Sequence, residues 1–302
     1  CRQLLSIEAQ SGGAAPSLAF EATENMQTPG HNAAPLFSRE EGEDAVHVGS
    51  LLAGKYRVEG LLGSGGMGIV VAATHTQLGQ KVALKFLQRR AAQDSGMVER
   101  FLREAKAAVR LRSEHVARVL DVGTFDSGAP FIVMEFLDGV DLSRVLRERG
   151  QLPVSEAIDF IVQASEAIAE AHAVGIVHRD IKPANLFLTT KADGSPHVKV
   201  LDFGISKFDV PGGNATTADV AMGSPRYMSP EQMQSARDVD ARTDVWALGI
   251  VLYELLSGRP PFEADSFVAL CAKVATGTPP PLSTWRADIP VEMEAVIGAA
   301  LQ

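Results

Sequence analysis

The stretch His178-Arg179-Asp180-Ile181-Lys182-Pro183-Ala184-Asn185 follows a long amphipathic segment, Ser155 to Val174, and precedes a short strand-like run, His197 to Leu201, that ends at Asp202-Phe203-Gly204. It sets a carboxylate, a cation and an amide in one Pro-bounded loop, and a second carboxylate follows the next strand. Such groups, gathered between regular elements, are the raw material of a site that positions and neutralises charge.

Upstream, Tyr56 to Leu62, Ile69 to Ala73 and Val82 to Phe86 read as three β-prone runs separated by a glycine cluster and by a turn at Leu78-Gly79, which predicts an antiparallel meander. From Val98 to Leu111 the spacing becomes helical, with Phe101, Leu102, Ala105 and Ala108 on one face. Val116 to Val122 and Pro130 to Phe136 are two further strand-like runs. After Gly139 the chain is largely helical, over Ser155 to Val174, Thr243 to Leu256, Ser266 to Ala275 and Val291 to Leu301. A β-rich part followed by a larger helical part predicts an α+β, two-lobed architecture, with lobes over 55–136 and 139–302 and a crevice near Met134 to Gly139. Residues 1–48 mix Gly, Ala, Pro, Ser, Asn and acidic residues without a period of 2 or 3.6, and read as a disordered arm or linker.

With 302 residues and 46% hydrophobic residues, the chain can bury a substantial core. Its net charge of −9 argues against binding nucleic acid through broad phosphate neutralisation. Two cysteines, Cys1 and Cys271, form no disulfide framework and no Cys-x-x-Cys or Cys/His cluster, which fits a reducing compartment and not a zinc site. No apolar run approaches the roughly 20 residues that cross a bilayer. The longest, Ala247 to Leu256, contains Tyr253 and Glu254 and reads as a buried helix. The chain shows no secretory signal, and its first residue, Cys1 instead of Met, is read as the start of a fragment.

Gly63-Ser64-Gly65-Gly66-Met67-Gly68-Ile69-Val70 fits G-x-G-x-x-G-x-V. A Walker A loop needs Lys after its second glycine, yet Ile69 follows Gly68. A dinucleotide fingerprint needs a helix at the third glycine and an acidic residue about 20 positions on. Here a strand follows, and no Asp or Glu occurs between Glu59 and Asp94. What remains is a strand-turn-strand flap whose backbone can lie close over phosphates and donate N–H groups to them.

These motifs, in this order and over roughly residues 55–302, resemble the eukaryotic-type protein kinases of the bacterial serine/threonine branch. The resemblance implies a γ-phosphoryl transfer from ATP with Mg²⁺ as cofactor. Asp180 would orient the substrate hydroxyl, Lys182 would neutralise the transferring phosphoryl, and Asn185 and Asp202 would hold Mg²⁺. Lys85 would contact the α- and β-phosphates, braced by an ion pair with Glu104. Glu99 is the rival carboxylate on that segment, and the Phe101 to Ala105 context favours Glu104. Leu62, Gly63, Ser64, Gly65, Gly66, Gly68 and Val70 would cover the nucleotide, and Val70, Ala83 and Phe187 would sandwich the adenine. Met134 would be the gatekeeper, with Glu135 and Leu137 offering backbone hydrogen bonds to the base, and His178 would serve structurally.

Lys182 and Gly223 to Glu231 resemble serine/threonine more than tyrosine kinases, with Ser224 for the usual Thr and Ser229 for the Ala of Ala-Pro-Glu. Ser224 keeps a hydroxyl able to bond Asp180 and Lys182. A pseudokinase would lack a catalytic residue and a small-molecule phosphotransferase would lack the Pro225 to Glu231 platform; neither is missing here. Thr216 and Thr217, in a Gly/Ala/Thr/Asp-rich segment, are the expected self-phosphorylation sites, with Arg179 as the cation that would bind the phosphate. Asp244 would brace the catalytic loop from below. The implied partners are ATP and Ser/Thr-bearing proteins, with no nucleic acid and no membrane segment, in a cytoplasmic location, any anchor lying outside this chain. The resemblance also implies a C-terminal end that is truncated, and a buried Glu231 whose usual Arg partner lies beyond it, leaving Arg259 and Arg286 as candidates within reach in sequence.

Overall fold

The computed structural model describes residues 46–65, 68–203, 224–235 and 239–302. Residues 1–45 of the expected arm, Gly66, Gly204, Thr216, Thr217, Gly223 and the Ser224 side chain lie outside the described residues. The described chain falls into two compact units, one of residues 46–109 and 117–137, the other of 110–116 and 138–302. Residues 110–116 join the helical unit because Val116 bridges Val200 and the Val200 N–H donates to the His115 carbonyl.

The β-rich unit is a six-stranded sheet in the order β1-β2-β3-β4-β6-β5. Its strands are β1 (Leu51–Leu52), β2 (Tyr56–Ser64), β3 (Gly68–His75), β4 (Lys81–Leu87), β5 (Val119–Thr124) and β6 (Pro130–Glu135). The predicted meander is present: β2 pairs β3 and β3 pairs β4, both antiparallel. Side chains alternate across a strand, so Val82, Leu84 and Phe86 of β4 enter one core with Val58, Val71, Phe131 and Val133. Leu87 turns to the other face, where Ile132 and the helix residues Phe101 and Ala105 pack on it. Lys85 shares Leu87's parity and so faces that helix. A short helix, α1 (Arg89–Ala92), leads into α2 (Ser95–Ala108). Asp94 opens α2 by accepting the N–H groups of Gly96 and Met97, which satisfies two donors that a helix start leaves unpaired.

In the other unit, β7 (Gly139–Asp141), β8 (Leu186–Thr190) and β9 (Pro196–Val200) form a small antiparallel sheet. Its helices are α3 (Leu142–Arg149), α4 (Val154–Ala173), α5 (Pro230–Gln234), α6 (Arg242–Ser257), α7 (Phe267–Thr276) and α8 (Val291–Ala300). α6 is buried nearly all round, as its apolar run predicted. Gly249 lets α8 approach, since a Cβ there would lie 2.8 Å from that of Ala300.

A histidine pair ties segment 110–116 to β9. His115 and His197 are both buried, with ring centroids 4.6 Å apart. His115 Nδ1 lies 2.8 Å from the Val198 carbonyl and its Nε2 lies 3.4 Å from Glu166. His197 Nε2 meets the Glu114 carbonyl at 3.1 Å, and its Nδ1 is buried without a partner. Burial first, then His115, hold the His197 imidazolium pKa below its ordinary value, with Lys191 and Lys199 acting in the same direction. The folded chain therefore binds fewer protons here than the unfolded chain, where histidine titrates near ~6.5. This contribution to stability is complete above that pH and is lost as the pH falls through it. We expect urea midpoints to drop on acidification from pH ~7.5 to ~5.5, and His197→Gln to flatten that slope; an unchanged slope in the variant would refute the assignment.

Candidate active site

Lys85 Nζ lies 2.9 Å from Glu104 Oε1, and both side chains are largely buried, at 15% and 17% exposure. Ala105 and Phe101 anchor α2 on the sheet, and Glu104 follows from their helical phase. Glu99 instead pairs with Arg103 at the surface, at 3.1 Å, so of the two candidate carboxylates Glu104 is the one that meets Lys85.

The glycine-rich turn continues the β2–β3 ladder: Gly63 stands opposite Val70 and Ser64 opposite Ile69, and the Gly65 N–H bonds the Gly68 carbonyl at 3.0 Å. Its glycines differ in what they are for. A Cβ on Gly68 would lie 2.7 Å from the Phe86 carbonyl oxygen, so the sheet itself demands glycine there. A Cβ on Gly63 or Gly65 would meet nothing within 4 Å, and neither has a positive φ. Among the described residues the fold therefore gives no steric reason for a missing side chain at these two positions.

Ala83 of β4 stands opposite Met134 of β6. Leu62 is half exposed, Val70, Met134 and Leu137 are partly buried, and the Glu135 N–H is occupied by the Arg118 carbonyl at 3.0 Å. That removes this N–H as a donor to a base. Phe187, the remaining residue expected at the adenine, lies on β8 opposite Asp141 and Lys199.

The loop of the opening motif is built over Asp244 of α6, which is completely buried. Its Oδ2 accepts the His178 N–H and its Oδ1 the Arg179 N–H, both at 2.8 Å, while His172 Nε2 lies 2.8 Å from Oδ2. The Asp180 N–H donates to His178 Nδ1 at 3.2 Å. A backbone N–H can only donate, so Nε2 carries the His178 proton and gives it to the Leu201 carbonyl at 2.9 Å. The histidine thus spans from the loop to the residue before Asp202, and its ring packs on Phe203, with centroids 4.8 Å apart.

Three side chains converge within the loop. Lys182 Nζ lies 3.1 Å from Asp180 Oδ2, and Asn185 Nδ2 donates to the same oxygen at 2.9 Å and to the Asp180 carbonyl at 2.7 Å. Asn185 spends its amide nitrogen on Asp180, so its Oδ1 is the atom left to offer a hard cation. Asp202 is exposed, with φ +46, and Arg179 has φ +66. Left-handed backbone at non-glycine residues costs roughly 1–3 kcal/mol each and persists where the surroundings over-determine it. Among the described residues no cluster of three or more His, Cys, Asp or Glu is placed to hold a metal. An amide oxygen plus one carboxylate is instead the sparse oxygen set that suits Mg²⁺ with phosphates completing its shell.

Downstream, Ser229 caps α5 and Tyr227 donates to Glu254 Oε2 at 2.8 Å. Burial is the main cause raising both pKa values, so this pair stays a protonated phenol on a carboxyl group held above its usual range. Glu231 is half-buried in the first turn of α5, which corrects the expectation of a buried carboxylate awaiting an Arg. Neither proposed substitute serves it: Arg259 lies over the Trp285 ring at 4.2 Å, and Arg286 pairs with Asp288 at 2.6 Å and bonds the Leu152 carbonyl.

Two residues of this region escaped the reading of the sequence. His172 reaches Asp244 from the last turn of α4 with no motif to mark it. For Gln232 the available signal was Ser229-x-x-Gln232, a capping-box pattern that the reading left unused, and nothing in the sequence marks its contact with Arg179.

The family model for the protein kinase domain matches residues 56–282. Serine/threonine-protein kinase pkn3 of Myxococcus xanthus is 41% identical over 260 residues, 84% of this chain and 47% of its own length. The probable serine/threonine-protein kinase PknB of Corynebacterium glutamicum is 38% identical over 259 residues, 83% of this chain and 39% of its own length. The chain thus spans less than half the length of these relatives. The crystal structure of the Mycobacterium tuberculosis PknI kinase domain superimposes with a TM-score of 0.64 at 32% identity, over 85% of this chain and 92% of that one. The chain belongs to the protein kinase family, as a serine/threonine kinase domain of the bacterial type with the family's α+β fold. Among the described residues no helix is long and apolar enough to cross a membrane.

Proposed function

We propose that this domain moves the γ-phosphoryl group of ATP onto Ser and Thr hydroxyls of proteins, its own included, in bacterial signalling. The observation that carries this reading is the convergence of Lys182 Nζ and Asn185 Nδ2 on Asp180, over a loop that Asp244 holds from beneath. Phosphoryl transfer runs through a loose transition state, so the protein's task is to position reactants and offset charge. Asp180 accepts the hydrogen bond of the substrate hydroxyl and aims its oxygen at phosphorus. Lys182, held at that carboxylate, neutralises the phosphoryl oxygens in flight. Lys85, paired with Glu104, binds the α- and β-phosphates, and the bare backbone of Gly63 and Gly65 admits the triphosphate. Asn185 and Asp202 would hold Mg²⁺, which when bound supplies positive charge to the phosphates. Ala83, Val70, Met134, Leu137 and Phe187 form the adenine surface in this reading, and Thr216 and Thr217 receive the activating phosphate, which Arg179 binds. The acceptor is protein and not nucleic acid, in keeping with the charge of −9, and the setting is the cytoplasm.

The test is phosphate mapping by mass spectrometry after incubation with ATP, Mg²⁺ and a generic basic protein. Phosphate is expected on Ser and Thr of the added protein and at Thr216 or Thr217. Lys85→Met should cut transfer by about 10²-fold or more, measured well below the variant's melting transition, since a misplaced triphosphate forfeits the orientation on which the rate depends. Undiminished transfer by Lys85→Met would remove Lys85 from the site.

A further inference from the structure

We propose that Gln232 is a positioning residue for phosphoryl transfer, whose side-chain amide holds the peptide plane that carries Asp180. This deepens the kinase reading and rests on the role given there to Asp180.

Gln232 lies in α5 and is only 6% exposed, yet its amide is used at both ends. Oε1 accepts the Ser229 N–H at 3.1 Å, and Nε2 donates to the Arg179 carbonyl, 53 residues away in sequence, at 3.0 Å. An N–H only donates and a carbonyl only accepts, so one orientation of the amide is allowed and its flip would set donor against donor. The side chain is also fixed from its own helix. Its N–H completes the capping box with Ser229 Oγ, and that hydroxyl bonds Thr243 Oγ1, the neighbour of Asp244.

What it holds is the residue that needs holding. Arg179 sits at φ +66, a conformation that a side chain disfavours. Its N–H is fixed by Asp244 Oδ1 and its carbonyl by Gln232 Nε2. That carbonyl and the Asp180 N–H belong to one rigid peptide unit. The N–H edge rests on His178 Nδ1 through a longer bond of 3.2 Å, and the carbonyl edge rests on Gln232. The plane so pinned sets the direction in which the Asp180 side chain leaves the backbone. Small errors there are costly, because misplacement by about 1 Å can cost about 10²-fold in rate.

Two variants separate this role from simple support of the fold. Gln232→Glu keeps an oxygen for the Ser229 N–H, but when ionised it sets a carboxylate oxygen against the Arg179 carbonyl; when protonated it donates again. Gln232→Met fills the same space and donates nothing. For both, kcat toward an added protein substrate should fall about 10-fold or more, with KM for ATP unchanged. For Gln232→Glu alone, the ratio of variant to parent kcat should climb as the pH falls from about 8 toward about 6, because burial at this position raises the carboxyl pKa above its ordinary ~4.3 and lets it begin to protonate there. Parent-like kcat for Gln232→Met overturns the inference, as does a loss in both variants that merely tracks their melting temperatures, without recovery of Gln232→Glu in acid. Asp180→Asn in the same assay keeps the two readings apart. An inactive Asp180→Asn beside a fully active Gln232→Met overturns the role of Gln232 only, whereas a fully active Asp180→Asn overturns the role of Asp180 beneath it.

Discussion

Asp180→Asn should lower the single-turnover rate of phosphoryl transfer by about 10²–10⁴-fold, the usual range for losing a positioned proton acceptor, and leave nucleotide affinity nearly unchanged. The amide is close in shape to the carboxylate and retains an oxygen that can accept from Lys182 and Asn185, which now share Asp180 Oδ2 at 3.1 and 2.9 Å. The loop therefore keeps its form. What disappears is the negative charge that aims the substrate hydroxyl and can take its proton, and neither bears on the bound triphosphate. Nucleotide titration and quenched-flow phosphorylation on the same preparation check both halves of the statement. Equal rates for variant and parent would take Asp180 out of the chemistry.

The second large effect falls on the fold. Asp244→Ala removes the acceptor of two backbone N–H groups, those of His178 and Arg179, and of His172 Nε2, at a site with no exposure to solvent. A buried donor left without a partner costs roughly 1–3 kcal/mol, so the two amides alone amount to about 2–6 kcal/mol. Domain stabilities are typically about 5–15 kcal/mol, so the variant should melt far below the parent and be largely inactive even where folded, since Arg179 loses one of the two bonds that hold it at φ +66. Asp244→Asn, which can still accept one N–H, should fall between. Thermal melts that agree within error across the three proteins would show that the loop is held by something other than Asp244.

Much of this was legible in the residues, for physical reasons that can be named. The alternation in Val82 to Phe86 places Lys85 on the face opposite Val82, Leu84 and Phe86, and the 3.6 period of Phe101 and Ala105 carries Glu104 to it. The loop around Asp180 is compact in sequence, so its internal bonds are local and its motif nearly specifies them. What stayed hidden depends on contacts between distant segments. The run from Val116 to Val122 reads as one strand, but Val116 bridges Val200 in the other unit, so β5 begins only at Val119. α3 is short and its cap, Asp141, has no apolar run long enough behind it to announce a helix. Ser229-x-x-Gln232 shows that the amide oxygen of Gln232 has a partner, but nothing nearby tells where its nitrogen goes. Glu231 illustrates the reverse error, in which a family expectation of full burial met a first helical turn that leaves the residue only half-buried.

The most direct measurement follows the two ends of the nucleotide. The domain is incubated with Mg²⁺, a basic carrier protein and ATP carrying its label either on the γ- or on the α-phosphate, and protein-bound label is recovered and identified by residue type. The account predicts label on serine and threonine from the γ-labelled nucleotide and none from the α-labelled one. Label arriving from the α-phosphate, or no label on protein from a domain that demonstrably binds the nucleotide, would contradict it.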